Sequence, residues 1–299
     1  MEDYIFKLIN RIYGILSFLC FITYIISFIL IINFINFNIS KSISTIKLNL
    51  LYFYSIKIPI EINLWQLLII IYVIFIICFL ISYFSYEKYP IIKLIKEGIL
   101  SERNFLINMP LFSSFTFIII LLIHKFEETI GVGIGGPVYT DPLISLLSLS
   151  YAVISEEIGF RLIPILIPIG IYLLLKRYTN NFIIAIFKPG FYNVKDKWLN
   201  IIKIFLIILS SFIFSYAHLI SNIWEIGKFP STFFAGIIIG YCAVKYGFDA
   251  AILMHWYFNY YWFVIENSIF YEFSFILTIY TALFSIIYFP IKFFKIKNR

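Results

Sequence analysis

Two adjacent glutamates stand four residues before an arginine, Ser155-Glu156-Glu157-Ile158-Gly159-Phe160-Arg161, inside an otherwise apolar stretch. An ionisable side chain deep in such a stretch costs about 2.5–3.5 kcal/mol to place in a bilayer, so it marks function until shown otherwise. Residues four apart share a helix face, which lets Glu157 pair with Arg161. Glu156 is one residue back and points about 100° away. The two carboxylates therefore need not share a role: Glu157 can be held ionised while Glu156 stays available. A desolvated carboxylate without a paired cation has a raised pKa, as a general base near neutral pH requires.

Two further clusters lie downstream. In Phe214-Ser215-Tyr216-Ala217-His218 the aromatic and the imidazole share a face. In His255-Trp256-Tyr257-Phe258-Asn259, an imidazole and a carboxamide do so, and together they can present donors to one point, as a developing oxyanion needs. Each cluster alone also reads as structure: a Glu–Arg bridge, a satisfied helix-end histidine, an interhelical hydrogen-bond pair. Together they suit water activation on an amide carbonyl. Glu156 would take the proton, His218 would position the water directly or through a metal, and His255 with Asn259 would hold the tetrahedral oxyanion. Few other polar groups compete. Of 16 acidic residues only Glu156 and Glu157 lie well inside an apolar run; Asp249 and Glu266 sit at run ends, and His124 at the outer end of the third run.

The elements that position these groups must lie in a membrane. The chain has 299 residues, 62% hydrophobic and only 13% charged, with mean hydropathy +0.96. A soluble chain carries about 25% charged residues. The composition excludes a soluble enzyme, a disulfide scaffold and a disordered regulator. It also excludes a nucleic-acid binder, despite a net charge of +7. The fold class expected is all-α: a polytopic membrane protein of about eight transmembrane helices, since a crossing takes about 20 apolar residues. The candidate spans are roughly 12–36, 64–86, 109–126, 142–163, 199–221, 230–246, 248–266 and 270–291. Pro164 and Pro168 make 164–175 an interfacial or kinked continuation of the fourth. The lipid bilayer is the first implied partner.

Of the Lys and Arg residues, 17 fall on one side of this arrangement and 5 on the other, with Arg161 within a span. The positive-inside rule then places both termini in the cytosol, in the plasma membrane if the source is prokaryotic. Four regions follow. Residues 1–108 form a two-span region with a cytosolic amphipathic segment, and 109–140 a third span and a glycine-rich loop. Residues 141–266 form a catalytic core, and 270–299 a last span with a basic tail. The loop Gly131-Val132-Gly133-Ile134-Gly135-Gly136-Pro137 shares only its glycines with a phosphate loop; it reads as a flexible non-cytosolic loop. Cys20, Cys78 and Cys242 lie in apolar runs without metal-binding spacing and read as packing residues.

Taken in order, EExxxR, FxxxH and HxxxN on successive membrane helices resemble the CPBP family of intramembrane proteases, also called the Abi or CAAX-protease and bacteriocin-processing family. The resemblance spans about residues 141–266, and the first two spans are compatible with it. It implies an eight-helix fold with the site in a chamber inside the bilayer, reached from the cytosol, and glutamate-activated water as the nucleophile. On it, Glu156 is the base, His218 a water or metal partner, and His255 with Asn259 the oxyanion site, with Glu157, Arg161 and Phe214 supporting them. A zinc site takes three protein ligands plus water. Glu156, His218 and His255 could supply that number to zinc or another divalent metal, though their spacing does not demand it and HExxH is absent. The expected substrate partner is a membrane-associated peptide or protein, cut near its C-terminus or leader, with a prenylated CAAX-type protein as one form. The alternatives are a family member acting as an immunity or scaffold protein, and a proton- or cation-coupled transporter using Glu156 and Glu157. One feature fits poorly: His218 lies nearer the non-cytosolic end of its span than Glu156 does of its own. That requires the fifth helix to start late, near Lys203, or to tilt.

Overall fold

A computed structural model describes residues 2–31, 42–50, 54–84, 90–137 and 141–297. Its long helices run back and forth between two ends. They are α1 (Glu2–Leu30), α2 (Leu64–Phe84), α4 (Phe105–Thr129), α5 (Pro142–Glu157) with its continuation, α8 (Lys197–Ile220), α9 (Lys228–Tyr246) and α12 (Tyr271–Lys297). Short helices α3 (Pro90–Glu97) and α7 (Phe182–Phe187) lie in the basic connections. Among the described residues, seven helices are long and apolar enough to cross a membrane.

The eighth expected span, 248–266, is a continuous helical run made of α10 (Phe248–Trp256), a π-helical turn (Tyr257–Tyr261) and α11 (Trp262–Glu266). It is not among the seven apolar helices because it is the central one. Every residue from Asp249 to Tyr257 is buried, as are Tyr260 and Tyr261. A helix walled by protein need not be apolar towards lipid. Trp256 is fully buried, stacked on Phe28 at 5.1 Å and met edge-on by Tyr24 at 5.7 Å. Offset and edge-on ring contacts of this kind hold the centre of the bundle.

Helix starts follow their caps. Asp141 accepts from the N–H groups of Leu143 and Ile144, with Pro142 at the first helical position. Asp196 does the same for Trp198 and Leu199, so α8 begins at Lys197 and the late start near Lys203 does not occur. The prolines after Arg161 do not end the fourth span. The helix runs on through a π-helical segment (Ile158–Leu166) into α6 (Ile167–Leu175), giving 34 helical residues from Pro142 to Leu175. Pro164 has no N–H to offer the carbonyl four residues earlier, and Ser210 of α8 donates to that Phe160 carbonyl instead. The structure thus resolves 164–175 as a continuation.

Residues 42–50 and 54–63 are not simply a connection between spans. They form an antiparallel hairpin, β1 (Ser42–Leu50) with β2 (Tyr54–Asn63), in register Ile46↔Ile58 and Leu48↔Ile56. Ile46 and Ile62 pack against the main core. The segment 32–36 of the first expected span lies outside the described residues. The glycine-rich loop is also more ordered than a flexible linker. Glu225 and Gly227 donate backbone N–H bonds to the carbonyls of Ile134 and Gly133, at 2.9 and 3.0 Å. At Gly135, φ is +66° and an added Cβ would stand 2.9 Å from the Glu225 nitrogen, so this close approach requires glycine.

Candidate active site

The EExxxR helix turns π-helical at the residue after Glu157, and the HxxxN helix does so between His255 and Asn259. Single π turns shift side chains by a fraction of a turn and concentrate at functional sites. Here they let groups from α5, α8 and α10 face one another.

Glu157 is fully buried and makes two charged contacts through Oε1: Arg161 Nη1 at 3.2 Å and His255 Nδ1 at 2.8 Å. The Glu157–Arg161 pair expected from spacing is present. It is an ion pair rather than an aligned hydrogen bond, since Nη1, Nη2 and Glu157 Oε2 make no hydrogen bond to the protein. The bond to His255 joins the first motif to the third across 98 positions, which no local spacing reveals. A carboxylate only accepts, so His255 carries its hydrogen on Nδ1 there. Its Nε2 then faces Glu156 Oε2 at 3.6 Å. Glu156 keeps about a quarter of its side chain exposed while Glu157 keeps none, so the two carboxylates face different surroundings, as the helix geometry suggested.

Phe214 explains the second motif. The Arg161 guanidinium lies 4.4 Å from its ring centroid, His218 meets it edge-on at 4.7 Å, and His255 stands edge-on at 6.1 Å. One ring therefore touches a member of every motif, and the cation over its face supplements the incomplete hydrogen bonding of Arg161. His218 donates from Nδ1 to the Phe214 carbonyl at 2.9 Å, since a carbonyl cannot donate. That fixes the tautomer and leaves Nε2 with a free lone pair. Asn259 reaches the Leu149 carbonyl with Nδ2 at 3.4 Å, a long contact.

A cavity of about 440 Å³ brings Glu156, His218, His255, Asn259 and Phe214 to one surface. Glu157 and Arg161 lie behind it. Sequence reasoning missed two of its walls. Trp224 lies 6.1 Å from the His218 ring and 4.0 Å from the Lys228 ammonium, centroid distances in both cases. Lys228 reads as a loop cation in sequence yet lines the chamber, and it makes no ion pair among the described residues. His124 also lines it. Its placement at the end of the third run was the only signal. A second cavity, about 160 Å³, opens beside Phe160 and Ala217 and shares Glu156, His218, Ile223 and Trp224 with the first.

The expected metal donors do not form a site. No three His, Cys, Asp or Glu side chains among the described residues are placed to hold one ion.

Residues 137–261 match a family model described as type II CAAX prenyl endopeptidase Rce1-like. Over this segment, less than half of the chain, the sequence is similar to that family. The matched stretch holds all three motifs and both π turns, so the match agrees with the resemblance read from EExxxR, FxxxH and HxxxN, and the long apolar helices make the chain an integral multi-pass membrane protein. Residues 1–136 and 262–299 lie outside it. No curated protein and no solved structure matches the chain.

Proposed function

We propose that this protein is an intramembrane endopeptidase that hydrolyses a peptide bond of a membrane-associated substrate with Glu156-activated water. The observation that carries the reading is the convergence of Glu156, the free Nε2 of His218, His255 and Asn259 on one cavity wall, with Glu157 and Arg161 sealed behind. Water between Glu156 and His218 Nε2 loses its proton to Glu156 as its oxygen bonds the scissile carbonyl carbon. His255 holds one proton on Nδ1 against Glu157. With a second on Nε2 it donates, beside the Asn259 amide, to the oxyanion that forms. When the C–N bond breaks, Glu156 returns its proton to the leaving amine, so the cycle closes without a net change in the protein.

Arg161 offsets the charge of Glu157, which lets that carboxylate orient His255 without competing for the water's proton. We place both termini in the cytosol on the Lys and Arg distribution. The test uses purified full-length protein in lipid nanodiscs with quenched fluorogenic peptides, prenylated and unprenylated. Cleavage by the native chain and none by Glu156→Gln supports the reading. Equal cleavage by both, or glutamate-dependent cation uptake without cleavage in proteoliposomes, overturns it.

A further inference from the structure

The chamber opens at one end of the bundle, and that end is the one poor in cations. Its outermost lining residues are His124 near the end of α4, Pro137 before α5, Ile223 and Trp224 after α8, and Lys228 at the start of α9. On the inward side the lining reaches Glu156, Ile239 and His255 and goes no further. The residues that close the opposite end, Lys188 and Asp249, are tied to each other at 3.1 Å and line no part of it. That closed end carries the basic connections: among the described residues 15 Lys and Arg residues lie on the helix ends and loops that meet there, against Lys125 and Lys228 on the helix ends beside the opening.

Lys and Arg mark the cytosolic loops of a multi-pass protein. We infer that the chamber faces away from the cytosol, and that its substrate is a polypeptide segment presented on the non-cytosolic side: an exported peptide or the outer part of a membrane protein. The inference rests on the peptidase reading for its substrate and on geometry and charge for its side. It differs from the cytosolic access that the family resemblance implies. It also accounts for the position of His218, two residues from the end of α8: the helix carries its imidazole to the open end of the bundle.

Two measurements test it. Cys20, Cys78 and Cys242 are buried, so added thiols report cleanly. Ile226→Cys, exposed at the open end, and Trp198→Cys, exposed at the basic end, are treated with a membrane-impermeant maleimide in intact cells. Labelling of Ile226→Cys in intact cells, with Trp198→Cys labelled only after permeabilisation, is the expected result. The reverse pattern, or equal labelling, overturns the orientation. Second, an impermeant quenched peptide library is added to right-side-out and to inverted vesicles, with Glu156→Gln vesicles as background. Cleavage at least tenfold greater in the right-side-out preparation is expected; cleavage greater in inverted vesicles, or equal in both, overturns the substrate claim. If detergent-solubilised protein also fails to cleave, the peptidase reading falls and the substrate claim with it, while the labelling still decides which face the opening takes.

Discussion

The two ends of the bundle carry polar groups of different kinds. At the basic end several are satisfied by one another. Asp249 Oδ2 accepts from Ser82 at 2.7 Å and pairs with Lys188 at 3.1 Å, and Asn104 donates to the Tyr83 carbonyl at 2.8 Å. Asn108 donates to the carbonyls of Ser101 and Asn104, both at 2.7 Å. Towards the open end the polar groups are left with capacity. His124 Nε2 is buried without a partner, His218 keeps Nε2 free, Lys228 has a ring rather than a carboxylate, and Asn259 makes one long contact. A satisfied buried group stabilises a fold, whereas an unsatisfied one aimed into a cavity is available to a reactant. On this comparison, changes at the open end should strike activity and changes at the basic end should strike stability.

Glu156→Gln is the largest test. It keeps the side chain's shape and removes its capacity to take a proton. Turnover should fall by about 10²–10⁴-fold, the usual contribution of a general base. The melting temperature should hold, because Glu156 makes no structural bond beyond its approach to His255. A large fall in Tm would place Glu156 with the structural groups and break the comparison.

Arg161→Ala probes the seam between the two kinds. It leaves Glu157 buried beside His255 without its cation, at a cost of about 3–5 kcal/mol. Stability and activity should fall together. The double variant Glu157→Gln with Arg161→Ala should regain part of the lost Tm. A double variant no more stable than Arg161→Ala would show that the two do not act as partners.

His255→Ala and Asn259→Ala should each lower kcat by about 10²–10³-fold with little change in KM, as donors to a developing oxyanion do. Both made together should be little worse than the worse single, because the two serve one charge. A rise confined to KM on loss of Asn259 would instead make it a docking contact. At the other end, Asp249→Ala should cost about 1–3 kcal/mol, read by thermal unfolding, through the lost bonds to Ser82 and Lys188. Its kcat per folded molecule should be unchanged.

What the sequence made legible follows from the reach of its signals. Apolar runs place most helices, because lipid imposes a uniform requirement on whatever faces it. The apolar run 248–266 was legible too, although this helix faces protein rather than lipid. Glu157–Arg161 and Phe214–His218 were readable because both pairs lie within one helical turn. Glu157–His255 was not, since the bond forms only when α5 and α10 pack. The hairpin was legible in principle: Ile56, Ile58, Ile60 and Ile62 alternate with Lys57, Pro59 and Glu61, the period of a strand. Hydropathy averaged over a span-length window hides a two-residue period. Trp224 and Lys228 had no signal at all, because the fold of the 221–227 loop brings them over the chamber.

The smallest expected effect belongs to Asp196, which sits at the basic end outside the spans. Its carboxylate caps α8 through the N–H groups of Trp198 and Leu199 and accepts from Tyr172 and Tyr178 at 2.9 and 3.0 Å. The bond from the Leu199 N–H, then the Tyr172 hydroxyl, hold its pKa below the ordinary aspartate value. A depressed carboxylate pKa stabilises the fold above the unfolded-state pKa, about 3.9, and that stabilisation is lost as pH falls through the folded value. Asp196→Ala should therefore lower Tm slightly at pH 7, by less than Asp249→Ala, and Asp196→Asn by less still, since the amide oxygen can still cap the helix. The gap between native chain and Asp196→Ala should narrow as the pH is taken down through the aspartate range, because protonation weakens the same bonds that the substitution removes. Proteolysis per folded molecule at pH 7 should be the same in all three. A loss of turnover in Asp196→Ala would mean that the basic end reaches the chamber after all, and the separation between a structural end and a reactive end would no longer hold.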